Sequence, residues 1–400
     1  MMQPVLDSIR VVEVTEALAG PYCAMMLGDF GADVIKVERK KVGDQSRAWG
    51  PPFCGPQSAY FLAANRNKRS LTLDLDHPFG QDVMRRLLET TDVLLTNQPK
   101  LHSLKRMSLD PETLEAQFPR LIYCAISGYG LFGPKSGLAG YDIIAQAESG
   151  IMSFTGEPDG EPIRYPVALA DLVCGLYSAI GILAALFARE KSGRGQFLDM
   201  ALFDSQLTLL ANVGSNFLNA GAPLPQRWGN AHPSIVPYQL FQGADHRHFV
   251  VGIGTEPLWL KFTKVLGIAE DVGRDPHYAS NQLRIEHRIA LIHLLQQHLS
   301  SRPAKEWVDR LAGVGIPSAM VKNVDEAFCD RQVLERKLIV EFEHQELRAA
   351  KSIANPVRLS ATPVSYRLPP PLLGEHNQEV LVSLGYTRQE IEEAIVEGAI

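Results

Sequence analysis

Between positions 10 and 38 the spacing of apolar residues changes twice. VVEV is a short continuous run, TEALAGPYCAMMLGDFGA reads as a turn followed by a helix, and DVIKVE returns to a strand-like run. Such runs suit a parallel sheet covered on both faces, so the segment predicts a βαβ unit. SLTLDL and DVLLTN then read as strands around the amphipathic helix FGQDVMRRLLETT, and LIYCAISGYG reads as another strand after PETLEAQF. Four or more strands separated by helices predict an α/β fold with a doubly wound, Rossmann-like parallel sheet.

An apolar helix over 172–190 and the strand-like GQFLDMAL complete this part. NAGAPLPQRWGNAHPSIVPYQLF, rich in Pro, Gly and Asn with little periodicity, reads as a long connection. HFVVGIG predicts a strand, and helices follow near 256–267, 285–299 and 303–314. The chain therefore divides into a large Rossmann-like domain at 1–205, a linker at 206–224, a smaller α/β domain at 225–325, and a C-terminal return at 326–400. Within the return, the proline arm RLPPPLLGEH is expected to be extended and able to clasp another surface, ahead of a terminal helix in TRQEIEEAIVEG.

Composition narrows the function classes. The 400 residues carry a net charge of -6, which gives no general field for a polyphosphate backbone, so no nucleic-acid partner is expected and any anion must be held locally. Five cysteines without CxxC spacing suggest neither a disulfide framework nor a zinc site, and a reducing, cytoplasmic setting is expected. The start MMQPVLDSIRVVEV lacks the features of a secretory signal. The longest uncharged run, Leu172–Ala188, is shorter than the roughly 20 residues that cross a bilayer and is interrupted by Gly175, Tyr177 and Ser178, so a buried helix and no membrane partner are expected.

Candidate chemistry is sparse when taken motif by motif. TEALAGPY follows the first strand with one glycine where a dinucleotide fingerprint needs three, and GIGTEP at 252–257 has Pro257 at the third position, so NAD is disfavoured. No HExxH zinc motif and no GxSxG nucleophile elbow is present, and Cys174 inside the apolar helix reads as a core thiol. Arg39, after the second strand, is placed to meet an adenosine ribose or a phosphate; a solvated basic turn is the other reading. Asp171 stands at the mouth of the apolar helix. As a plain N-cap it would accept a backbone N–H and be favoured by the helix dipole; held ionised there, it could also act as a nucleophile.

Taken together, LAGPYCAMMLGDFGADVIKVER, NRNKRSLTLDL, LIYCAISGYG, GEPDGEP with the following Asp171, GRGQ at 193–196 and PPPLLGEH resemble the class III CoA-transferases, the CaiB/BaiF or formyl-CoA transferase-like family, nearly end to end. The resemblance implies a large Rossmann-like domain and a small domain in an interlocked homodimer. It also implies acyl-CoA and a free carboxylic acid as substrates, with no permanently bound cofactor and no metal. Asp171 matches the family's catalytic aspartate, which attacks the thioester to form an aspartyl anhydride and then an aspartyl-CoA thioester. Arg39, Leu73 with Asp74, Asn97 and Arg106 match CoA-binding positions; Lys100 is a second candidate because TNQPKL replaces the usual ENFRPG with an apparent extra residue. Leu18 and Ala19 match the loop beside the thioester, and Tyr141 with Asp142 matches a Tyr–acid pair at the site.

Leu18 in place of glutamine, and a glycine lid reduced to GIGTE with Gly252 and Gly254, disfavour a formyl/oxalate substrate. A sister branch, the 2-methylacyl-CoA racemases, has a histidine where this chain has Tyr141, and tyrosine, titrating near pH 10, is a poor α-proton base. A non-catalytic CoA-binding role is the remaining alternative. The resemblance favours succinyl-CoA as donor and a short dicarboxylate such as malate, citramalate, itaconate or mesaconate as acceptor, with Arg164 and His232 able to hold its distal carboxylate. A surface arginine and a loop histidine are the plain readings of those two residues.

Overall fold

A computed structural model describes residues 3–98, 100–221, 223–347 and 349–400. Its elements fall into two units, one of 1–151, 164–221 and 334–400, the other of 152–163 and 222–333. The segment 152–163, read from sequence as part of a continuous large domain, groups instead with the smaller unit, and the return to the first unit begins at Leu334 rather than 326.

The first unit is built on six parallel strands: β1 Arg10–Val14, β2 Asp33–Glu38, β3 Lys68–Thr72, β4 Val93–Thr96, β5 Ile122–Ser127 and β6 Phe197–Ala201. Their order across the sheet is β3-β2-β1-β4-β5-β6. The chain therefore starts in the middle and winds outward in both directions, leaving a switch point between β1 and β4, where such sheets bind ligands beyond the carboxyl ends of their strands.

Alternation within strands divides the core in two. Val11, Val34, Val93, Leu95, Ile122 and Cys124 face helices α1 (Ala19–Asp29) and α4 (Leu169–Ser192). Val12, Ile35, Leu94, Tyr123 and Ala125 face α2 (Pro78–Leu88). Neighbouring residues on one strand thus enter opposite cores, as a period of two requires. Two shorter helices, α3 (Asp142–Glu148) and α5 (Leu202–Thr208), flank α4.

Helix α4 runs for 24 residues, longer than the uncharged run in the sequence, because Leu169–Asp171 and Arg189–Ser192 join it. It is long and apolar enough to cross a membrane. Its Cys174, Ser178, Ile182 and Ala185 side is buried against the first core, whereas Leu176, Tyr177, Ile180 and Phe187 are exposed.

The proline arm does not reach away from its own unit. The Asn67 N–H donates to the Leu368 carbonyl, Arg367 and Leu368 N–H groups donate to Asn67 Oδ1, and Arg47 donates to the Pro371 carbonyl. The expected clasp is thus a docking beside β3, whose Ser70 and Thr72 N–H groups take the His376 and Asn377 side chains as acceptors, as the amides of an edge strand require.

In the second unit, β7 (Tyr238–Gln242), β8 (His248–Gly252) and β9 (Ser318–Met320) form an antiparallel sheet in the order β9-β8-β7. It is packed with α6 (Glu256–Leu266), α7 (Arg288–Leu299) and α8 (Ala304–Gly313) around Phe241, Phe249, Trp259, Leu295 and Trp307. β7 lies within the stretch read from sequence as a connection, and its strand hydrogen bonds to β8 account for the difference.

Candidate active site

The carboxyl ends of β1 to β5 open onto one cavity of about 1260 Å³. That exceeds the roughly 300–1,000 Å³ of ordinary small-molecule sites. Its wall takes residues from every one of these ends: Thr15 to Ala17 and Ala19 after β1, Arg39 and Lys40 after β2, Leu73 to Asp76 after β3, Asn97 after β4, and Ser127 and Gly128 at β5. Asp171, Asp142, Tyr141 and Arg164 join it from the α3–α4 region.

Asp171 is not the cap of α4. The helix begins at Leu169, so Asp171 falls in its first turn, and the Ala170 N–H is taken at 2.8 Å by Asp142 from α3. One close approach brings α4 to the start of α1: a Cβ on Gly175, one turn after Asp171, would lie 2.7 Å from the Ala19 carbonyl. Within the turn before α1 the packing is equally tight, since a Cβ on Gly20 would lie 2.6 Å from Thr15. Helix α1 begins at Ala19 with no side-chain cap, so its first N–H groups are left without intrahelical partners.

Contrary to the expectation of a carboxylate kept ionised by its helix, Asp171 is pushed up to about 7. Burial is the main cause and the Asp142 charge the second, with the Ala19 N–H opposing them. Beside it stands Tyr60, whose phenol is pushed up to about 12 by burial and by the Asp171 and Asp142 charges. Tyr60 meets the Trp49 ring edge-on at 4.8 Å, and both line the cavity. Neither was found from sequence, because they lie in SRAWGPPFCGPQSAYF, whose Gly, Pro and Ser content reads as surface loop.

Of the positions expected to bind CoA, Ala19, Arg39, Leu73, Asp74, Asn97, Arg106, Tyr141 and Asp142 line the cavity. Leu18 does not: it is buried, and its neighbours Ala17 and Ala19 form the wall instead. Lys100 is exposed outside the cavity at the start of a short helix, Leu101–Arg106, whose last turn brings Arg106 to the wall. Asn97 closes a two-way pair with the Glu16 backbone, accepting from its N–H at 3.2 Å and donating to its carbonyl at 2.9 Å. His232, Gly252 and Gly254 belong to the second unit. There His232 Nδ1 accepts from the Ser234 N–H, Gly252 ends β8 and Gly254 follows it.

Three cavity cations are already paired: Arg39 with Glu16 at 2.8 Å, Lys40 with Asp74 at 2.7 Å and Arg106 with Asp76 at 3.0 Å. Arg164 has no carboxylate partner among the described residues; its guanidinium donates only to the Pro166 carbonyl, at 3.3 Å. The next residue fixes the loop, since the Tyr165 N–H donates to Gln146 Oε1 and Gln146 Nε2 donates to Asp142. Among the described residues no group of three or more His, Cys, Asp or Glu could hold a metal ion.

Comparison with known proteins follows from this geometry. Residues 6–377 match the model of CoA-transferase family III. The chain is 40% identical over 388 residues to the succinate–glutarate CoA-transferase of Agrobacterium fabrum, covering 96% of both chains. It is 38% identical over 396 residues to the succinyl-CoA:glutarate CoA-transferase of Homo sapiens, covering 99% of this chain and 90% of that one. The crystal structure of a CaiB/BaiF family protein from Brucella suis superimposes with a TM-score of 0.86 at 39% identity, covering 96% of this chain and all of that one.

Proposed function

The chain belongs to CoA-transferase family III, and from that membership we propose that it moves CoA from succinyl-CoA to a free dicarboxylate of four or five carbons, through covalent intermediates on Asp171. The observation that carries this reading is a single cavity whose wall holds the half-buried Asp171 carboxylate together with Arg164, which has no carboxylate partner among the described residues, and three further cations, Arg39 and Lys40 after β2 and Arg106 in the helix after β4. Arg39, Lys40 and Arg106 suit the CoA phosphates, which would replace their carboxylate partners. Arg164 suits the distal carboxylate of the acid. Relatives named for succinate, glutarate, D-citramalate and mesaconate support a dicarboxylate of this length.

The Asp171 carboxylate attacks the thioester carbonyl carbon, the C–S bond breaks, and CoA leaves as thiolate with a mixed anhydride on Asp171. Thiolate then attacks the aspartyl carbonyl, which releases the first acid and leaves an aspartyl-CoA thioester. The acceptor carboxylate displaces CoA to form a second anhydride, and thiolate takes the acceptor acyl group and frees Asp171. No step consumes or releases a net proton, but the first needs Asp171 ionised. With that group near 7, kcat/KM rises with pH through neutrality.

The exposed Leu176, Tyr177, Ile180 and Phe187 stripe on α4 suits a second copy of the chain, in line with the interlocked homodimer that the family resemblance implies. Incubation with succinyl-CoA and a panel of free acids, read by mass of the CoA esters, tests the substrate. Glutaryl-, citramalyl- or mesaconyl-CoA is expected, and transfer to monocarboxylates alone would overturn the dicarboxylate assignment. Arg164→Leu should raise the KM for the dicarboxylate roughly 30-fold or more, as loss of a charge-assisted pair does.

A further inference from the structure

Behind the cavity wall, which Asp44 reaches, lies a set of buried charges that the transfer steps do not use. Lys36 on β2 is wholly buried, and its ammonium meets the Thr15 carbonyl at 2.8 Å, Asp44 at 2.9 Å and Glu13 at 3.3 Å. Glu13 also holds the wholly buried Lys68 at 2.8 Å, and Lys68 donates to the Pro21 carbonyl in α1 at 2.9 Å. Asp44 accepts from the Ala17 N–H at 3.0 Å, the Ser46 N–H at 2.8 Å and the Ser46 hydroxyl at 2.7 Å. Burial works against the Asp44 charge, yet Lys36 and these donors hold its carboxyl down at about 2.

Desolvating such a set is costly, and apolar side chains of similar volume often stabilise a fold as well or better. What the charges supply here is placement. Three of their contacts end on one short segment, at the Thr15 carbonyl, the Ala17 N–H and the Pro21 carbonyl. In that segment Ala17 has φ +69°, a left-handed conformation that is unfavourable for a residue with a Cβ and persists where the surroundings over-determine it. Ala19, at the end of the same segment, lines the cavity with Asp171, and its carbonyl is the atom that α4 approaches at Gly175, one turn after Asp171, where an added Cβ would lie 2.7 Å away.

We propose that Asp44 and Lys36 are positioning residues for the reacting carboxylate: clamped to each other against the Thr15–Leu18 turn, they hold the start of α1 in place against the first turns of α4, which carry Asp171. This rests on the reading of Asp171 as the acylated group. Neither residue reacts; the pair acts through the turn.

The test removes the charges together, so that neither is left alone. Lys36→Met with Asp44→Asn keeps an oxygen that can accept from Ala17, whereas Lys36→Met with Asp44→Leu does not. Purified full-length variants are assayed with succinyl-CoA and glutarate across pH. The Leu pair should lose kcat 30-fold or more with the KM for succinyl-CoA within threefold, and its acidic limb should move to higher pH, because Asp171 loses a donor that favours its charged form. The Asn pair should lose no more than several-fold and keep its limb near the wild-type position. Asp142, Tyr60 and Cys174, the titratable groups facing Asp171, are unaltered in both.

Equal kcat and equal limbs in the two pairs would overturn the proposal, as would a rise in KM with kcat unchanged, which would place the pair in CoA binding. If the Leu pair does not fold, Ser46→Ala decides: it removes one donor from Asp44, and a several-fold loss in kcat with the limb displaced upward supports the proposal, whereas a wild-type profile overturns it. Asp171→Ala separates the two readings. Turnover in that variant sinks the reading of Asp171 itself, whereas an inactive Asp171→Ala beside indistinguishable double variants sinks only the positioning.

Discussion

Asp44 and Asp171 both line the cavity around the turn between β1 and α1; Asp44 accepts from the Ala17 N–H of that turn at 3.0 Å, whereas the Ala19 N–H favours the Asp171 charge only as the smallest of the influences on it. Asp44 is nearly sealed from solvent yet held at about 2, because Lys36 and three nearby donors outweigh its burial. Asp171 is less buried yet pushed up to about 7, since burial and Asp142 act on it with a single N–H in opposition. Burial alone therefore does not distinguish a structural carboxylate from a reactive one; the number of groups that neutralise it does. A carboxylate saturated with donors is a poor nucleophile, and one left short of them is both reactive and costly to the fold.

The comparison breaks most sharply if Asp171 is dispensable. Asp171→Ala should reduce transfer by roughly 10³-fold or more, the scale seen when a covalent nucleophile is removed, and hydroxylamine added during wild-type turnover should trap an adduct on that side chain alone. Full activity in the alanine variant, measured as CoA exchange between acids, would end the assignment.

Gly175→Ala tests the approach of α4 to α1. The added Cβ would meet the Ala19 carbonyl, a backbone atom, at 2.7 Å, so one helix must shift, at roughly 1–3 kcal/mol of stability. A kcat loss on the order of tenfold or more is expected, since a reacting group displaced by about 1 Å can cost 10²-fold. A variant that melts lower but turns over normally would show that the Ala19 contact is unimportant to the reaction.

Asp142→Asn asks how much of the rise at Asp171 comes from charge. Asparagine keeps an oxygen for the Ala170 N–H and removes the repulsion, so the acidic limb of kcat/KM should move down, by about one pH unit. Activity at pH 6 should increase several-fold relative to that at pH 8. An unmoved limb would leave burial as the whole cause.

Much of the sheet could be read from sequence because β4 and β5 are buried throughout, and such strands need unbroken apolar runs. Strand order could not, since it depends on crossovers that local pattern does not encode. Asp171 was legible as a position but not in its ionisation, which is raised first by its burial in the folded chain and then by the charge of Asp142, 29 positions earlier, across a helix pair. The buried cluster did leave a signal, as Glu13 interrupts VVEV and Lys36 interrupts DVIKVE. A charge inside a run otherwise fit for a doubly covered strand must be paired in the interior, and that inference names the residues without naming their partners.

The smallest expected effect is on stability, and it runs in opposite directions for the two aspartates. Asp171 binds its proton more tightly folded, near 7, than unfolded, near its ordinary 3.8. The folded state is then favoured at low pH, and this contribution is lost as pH rises through about 7. Asp44 is the reverse: its contribution is present above its unfolded value and is lost as pH falls toward about 2. Asp171→Asn should therefore melt with the wild type near pH 4 and a few degrees above it at pH 8, while Asp44→Asn should melt below the wild type at pH 8, with the gap narrowing in acid. Differential scanning fluorimetry across pH reads both. Parallel curves for the two variants would mean that the turn does not separate two kinds of carboxylate, and the contrast between a clamped and an underfilled acid would have to be abandoned.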